Sequence, residues 1–118
     1  MKISTLMSYA HGFGGASQEI VELEKAGLDV VWVPEAYSFD AVSAMGYLAA
    51  KTERLTIASG ILNIYSRTPS LLAMTAAGLD ELSNGRFMLG LGASGPQVVE
   101  GFHGVPYDAP MTLSLIHI

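Results

Sequence analysis

Residues 85–97 read GRFMLGLGASGPQ: an arginine, an apolar run, then glycines at 90, 92 and 95 in the spacing G-x-G-x-x-G. A dinucleotide-binding turn places that spacing between the first strand and its helix, with an acid about 20 positions on, at the end of the next strand. Here three strand-like segments already precede the motif, and Asp108, near the required offset, lies in GVPYDAP, which is no strand. A nucleophile elbow fails as well, because it needs glycine two residues after Ser94, where Pro96 stands. What remains is a fourth strand, RFMLGLG, that leaves through glycines. Two reasons for them stay open: a ligand approaches the backbone there with Ser94 as donor, or strand and helix pack tightly.

Working outward, the segments alternate. Lys2 to Tyr9 is short, partly β-branched and followed by the loop signal HGFGG, which predicts a first strand. Ser17 reads as a helix start, with Ile20 and Leu23 on one face, Ala26 and Val21 toward its edges, and Gly27 as the stop. LDVVWVPE supplies a continuous apolar strand through Val30 to Val33, of the kind covered on both faces. Helical spacing returns at Val42, Met45, Leu48 and Ala49, LTIASGI forms the third strand, and Thr68-Pro69 opens a helix that runs to Gly85. Strand and helix alternating through four strands predict a parallel α/β sheet with right-handed crossovers.

Composition bounds the function. The net charge is −5 with no basic cluster, so the electrostatic footprint of a nucleic-acid binder is missing. Absence of cysteine removes disulfides, thiolate metal sites and thiol catalysis. No apolar run approaches the roughly 18 to 20 residues that span a bilayer. MKISTLMSYAHGFGG has no signal-peptide pattern, and the expectation is a soluble, cytoplasmic protein.

Two candidate catalytic residues stand at strand exits. Glu35, directly after strand two and Pro34, suits an acid, a base or a cap for the next helix. His11, after strand one, can reach a substrate at that end of the sheet or simply be solvated. Arg67 can meet an anionic tail or sit solvated near a helix start. His103, in GFHGVPY, reads as structural, and Trp32 and the methionines read as core.

GLDVVWVPE (27–35), RLTIASGILNIYSRTP (54–69) and DELSNGRFMLGLGASGPQVVEGFHGVPYDAP (80–110) resemble the first half of the bacterial-luciferase-like family, especially members that use the deazaflavin coenzyme F420. The resemblance covers about residues 1–112 and implies the N-terminal half of a (β/α)8 TIM barrel, with its site at the carboxyl ends of the strands. Gly60-Ile61, Asn63 and Gly92-Ala93-Ser94-Gly95 would then line one mouth together with the exit of strand two. Gly60-Ile61 resembles the position at which this family often carries a non-proline cis peptide, in a bulge supporting the coenzyme ring. Asn63 would hydrogen-bond a polar edge of the coenzyme or form a turn. The implied chemistry is hydride transfer to, or monooxygenation of, a small organic substrate, with F420 as coenzyme, FMN as the alternative and no catalytic metal implied. Where several F420-dependent relatives have an acid followed by histidine after strand two, this chain has Glu35 followed by Ala36, which leaves the proton donor unassigned.

A whole barrel needs about 250 residues, and 118 supply roughly four strands. An open sheet exposes two edges and an apolar inner face, so self-association or aggregation is expected. A noncatalytic half-barrel that pairs with itself or a partner is the alternative reading. Residues 113–118, LSLIHI, lack any charged helix signal and match the translation of a transposase adapter used in sequencing libraries, so they are expected to be foreign to the domain.

Overall fold

The computed structural model describes residues 1–37 and 39–117. Four strands form one sheet, in the order β1 (Ser4–Leu6), β2 (Val30–Val33), β3 (Thr56–Ser59) and β5 (Phe87–Met88). Every pairing in it is parallel. The intervening helices are α1 (Gly12–Lys25), α2 (Ala41–Lys51) and α3 (Pro69–Leu82). Strand order follows chain order, as in a barrel whose strands are added one beside the next.

The sheet has a second tier. After Ser59 the chain passes through a cis Gly60–Ile61 peptide into β4 (Leu62–Asn63), which pairs parallel with β6 (Leu91–Gly92). The predicted third and fourth strands are therefore each interrupted. The side chain of Ser59 fills the gap in the ladder: its hydroxyl donates to the Gly90 carbonyl at 2.9 Å and accepts from the Gly90 N–H at 2.8 Å.

Strand alternation sends Val31, Val33 and Ile57 toward the helices, where they pack with Ile20, Met45, Leu48, Leu72 and Leu79. On the opposite face, Leu6, Trp32, Ala58 and Met88 stand in register across the sheet. Leu6 is 61% exposed and Met88 43%. Trp32, expected in the core, is instead half-buried on this inner face, with its Cβ 3.3 Å from where a side chain on Gly60 would begin.

The helix boundaries differ from the periodicity in one place. The first helix begins at Gly12 with His11 as its N-cap, so HGFGG is largely helical and Ser17 lies inside, its hydroxyl donating to the Phe13 carbonyl at 2.8 Å. Tertiary packing overrides the low helix propensity of those glycines: Phe13 packs edge-on against Phe39 and Tyr47. The predicted stops hold. Gly27, at φ 106°, turns the chain after α1 in a conformation L side chains avoid. Thr68 caps α3 from its side chain, with Pro69 at the first helical position.

Two short helices follow, α4 (Pro96–Val99) and α5 (Pro110–His117). The latter runs across the boundary expected at residue 112, and of the tail 113–118 the last residue, Ile118, lies outside the described residues. Among the described residues, no helix is long and apolar enough to cross a membrane, and no group of three or more His, Cys, Asp or Glu could hold a metal ion.

Candidate active site at the carboxyl ends of the strands

The loops that leave β2, β4 and β6 lie at one end of the sheet, and a cleft of about 340 Å³ opens among them. Its floor is charged. Arg67 grips Glu35 with both arms, Nη1 on Oε2 at 2.5 Å and Nη2 on Oε1 at 2.7 Å, and Nη2 also reaches Asp40 Oδ1 at 2.8 Å. Glu35 Oε1 accepts in addition the backbone N–H of Ala41, the first residue of α2, at 3.1 Å. Both oxygens of Glu35 are thus engaged as acceptors, and both side chains of the pair are about nine-tenths buried.

The charge pattern has readable consequences. Hydrogen bonding to Glu35 raises the Arg67 guanidinium above its ordinary value, with desolvation opposing and the charges of Glu35 and Asp40 adding. Burial pushes the Asp40 carboxyl up, but hydrogen bonds from the Ser43 N–H and hydroxyl and the charge of Arg67 outweigh it, so the carboxyl lies below its ordinary range. Tyr9 is raised, first by burial and then by the negative charges of Glu35 and Asp40.

The walls of the cleft are apolar: Phe39, Leu71 and Phe102, with His103 beside them. The His103 ring meets Phe102 edge-on at 5.1 Å, and Phe102 meets Tyr37 at 5.4 Å. His103 therefore stands in the candidate site rather than in a purely structural loop.

The other sequence candidates form a second constellation. Asn63 is 2% exposed and registers against Gly92. Its Oδ1 accepts the Tyr65 N–H at 2.9 Å, the turn-forming role, while its Nδ2 is buried without a partner. The glycines of strand four have a packing reason in this chain. A Cβ on Gly90 would lie 2.1 Å from the Ser59 carbonyl oxygen, and one on Gly92 would lie 3.1 Å from the Ile61 side chain. Ser94 is exposed at φ 56°, its carbonyl accepting the Tyr107 hydroxyl at 3.4 Å, and Gly95 caps α4. Tyr107 in turn stacks on Tyr65 at 5.2 Å, folding the loop before α5 back over the strand exits.

Of the expected site residues, the cleft gathers Glu35, while Gly60, Ile61, Asn63 and Gly92 come together at the paired β4 and β6. His11 is exposed at the start of α1 and does not line the cleft. Arg67, expected to meet an anionic tail or to be solvated, is instead paired with Glu35 of the same chain. The sequence patterns do not single out Asp40, Phe102 or Tyr9. Asp40 carries a signal all the same, since an acid directly before a helical pattern is an N-cap, and it caps α2 through the Ser43 N–H at 2.7 Å.

Parallel strands in chain order, helices on one face and a site at the strand exits define part of a (β/α)8 barrel. The chain belongs to the luciferase-like monooxygenase family, whose model matches residues 2–114. It is 40% identical over 92 residues to a putative coenzyme F420-dependent oxidoreductase of Mycobacterium tuberculosis, covering 78% of this chain and 26% of that protein. It is 33% identical over 90 residues to 5,10-methylenetetrahydromethanopterin reductase of Methanolobus tindarius, covering 75% and 27%. The coenzyme F420-dependent tetrahydromethanopterin reductase of Methanopyrus kandleri superposes with a TM-score of 0.74 at 25% identity, over 90% of this chain and 30% of that one. The FMN-bound oxygenating constituent of 3,6-diketocamphane monooxygenase from Pseudomonas putida shares the fold, with a TM-score of 0.80 at 18% identity, over 98% and 37%. The chain spans about a quarter of the length of the curated relatives it matches.

Proposed function

We propose that this chain is the N-terminal part of an oxidoreductase that uses coenzyme F420, with FMN as the alternative, to transfer hydride to, or to oxygenate, a small organic substrate. The observation that carries the reading is the Asn63 amide: a donor buried without an acceptor at a strand exit is costly, and a coenzyme carbonyl would satisfy it. The F420-dependent relatives favour the deazaflavin. FMN stays the alternative because the two coenzymes share the pyrimidine-dione edge such a donor would meet.

Backbone at Gly60 and Ile61, the Asn63 amide and the Gly92 to Gly95 turn would hold the ring. When bound, the coenzyme supplies the redox step. The chain's own residues do the positioning. Gly90 and Gly92 draw strand four against the exit of strand three, and the Glu35–Arg67–Asp40 network fixes two loops of the rim.

Absorbance titration of the chain with oxidised F420 and with FMN tests the reading. A saturable spectral change is expected. Asn63→Asp keeps the acceptor for Tyr65 but loses the donor, and it should weaken binding roughly tenfold, the cost of about one hydrogen bond. No change with either coenzyme would overturn the reading.

A second reading, a half-barrel that closes against another copy of itself, is favoured by the exposed ends of the inner row, Leu6 and Met88.

A further inference from the structure

The cleft over the Glu35–Arg67 pair has a charge character that limits what it can accept. Two carboxylates, Glu35 and Asp40, face one guanidinium. Arg67 Nη1 is spent on Glu35 and Ser66, and Nη2 on Glu35 and Asp40. A ligand carboxylate or phosphate would compete with protein acceptors already in place, and it would meet a floor carrying a net negative charge. Above that floor, Phe39 and Phe102 offer ring faces and edges at 44% and 56% exposure, and Leu71 adds an aliphatic wall. His103 is the polar group beside them, and its ring makes no hydrogen bond among the described residues, so it can donate to, or accept from, a bound molecule.

We infer that this cleft selects the reacting substrate by accepting a planar organic group that carries no negative charge, with Phe39 and Phe102 as its apolar contacts and His103 as its hydrogen-bonding contact. The inference rests on the reading of this end of the sheet as the mouth of an oxidoreductase only in naming the ligand a substrate. The charge selection follows from the cleft itself. His103 here is a specificity determinant, and it supplies a contact that Glu35, with both oxygens committed, does not.

Three probes of nearly one shape and different charge read the selection directly: benzamide, benzoate and benzylammonium. Each is titrated into the isotope-labelled chain while the ring signals of its histidines are followed by NMR, with His103 identified by the peak that His103→Gln removes. Benzamide is expected to shift the His103 signals saturably, benzylammonium to bind at least as tightly, and benzoate to bind at least tenfold more weakly than benzamide. In the Glu35→Gln, Asp40→Asn double variant Arg67 loses both carboxylate charges, and benzoate should then equal or exceed benzamide. If that variant does not fold, Phe102→Ala serves instead: the side chain is more than half exposed, so the fold should persist while benzamide binding falls at least fivefold. Benzoate binding the unaltered chain as well as benzamide, benzylammonium binding as weakly as benzoate, or benzamide leaving His103 unmoved would each overturn the inference. The coenzyme titration is a separate measurement. Loss of F420 and FMN binding with the probe order intact would sink the oxidoreductase reading alone, and the converse would sink only the substrate selection.

Discussion

At the scale of single residues, one buried carboxylate with a structural role lies at the end of the sheet away from the cleft. The Glu24 side chain, on a residue only 8% exposed, accepts the backbone N–H groups of Glu53 at 3.1 Å, Arg54 at 2.8 Å and Leu55 at 2.7 Å. It therefore closes the turn between α2 and β3. Burial alone would raise its carboxyl, but the three backbone donors and the charge of Arg54 outweigh that and hold it below its ordinary value of 4.5. With the folded value below the unfolded one, the carboxylate contributes stability that is full above about pH 4.5 and is lost as pH falls through the folded value. Glu24→Gln should cost about 2 kcal/mol at neutral pH, because an amide oxygen accepts these bonds without charge and its NH2 lacks a partner. The variant should also flatten the acid limb of the stability curve. Urea unfolding of both proteins near neutral pH and near pH 4 measures this, and an equal acid-induced loss in the two would refute it. In the sequence Glu24 is one more acid in the polar stretch ELEK, since nothing local distinguishes a solvated carboxylate from one that caps a loop 30 residues away. The same blindness hides the Arg67–Glu35 pair, whose members are 32 positions apart, whereas Gly60-Ile61 is singled out by the family resemblance, and the cis peptide stands there, with the turn made by Asn63 shortly after it.

At the scale of elements, strands and helices are legible in type and order, because apolar periodicity and capping residues are local signals. The interruptions of strands three and four are not, because they depend on one strand touching the other. Ser59 bridges to Gly90 through both donor and acceptor, and this contact needs Gly90 to have no side chain. The glycine pattern of strand four thus has a packing reason in the chain itself, and any role at a ligand adds to it. Gly90→Ala would set a methyl 2.1 Å from a backbone oxygen that no rotamer change can move. The expected loss is about 3 kcal/mol or more, with the pairing of β4 to β6 disturbed. Gly46, inside α2, where an added methyl would meet nothing within 4 Å, is the matched control. Gly46→Ala should gain about 0.5 to 1 kcal/mol through helix propensity alone. Chemical denaturation followed by far-ultraviolet circular dichroism separates the two. A Gly90→Ala protein as stable as the parent would remove the packing account of the motif.

At the scale of the whole molecule, the sheet has two unlike faces and two free edges. One face is sealed by α1, α2 and α3 over Val31, Val33 and Ile57. The other presents the row Leu6, Trp32, Ala58 and Met88, buried at Ala58 and open at both outer strands. β1 and β5 are those outer strands, each with one side of its backbone unpaired within the sheet. A second copy offers β1 to β5 and β5 to β1 in the parallel sense, and its inner row would meet this one as opposite walls of a closed barrel do. The chain in isolation is therefore expected to self-associate, with a mass by light scattering at least twice that of the 12.5 kDa monomer. Placing like charges at both ends of the row, as Leu6→Glu with Met88→Glu, should keep it monomeric, because the two carboxylates would face each other across each β1–β5 seam and neither position is buried against the helices. A parent chain that runs as a monomer at about 100 µM, well above the micromolar range in which an interface of this kind associates, would show that the exposed row does not drive assembly. Assembly that survives both charges would instead place the contact on the helical surface, where Met74 and Leu82 are also exposed.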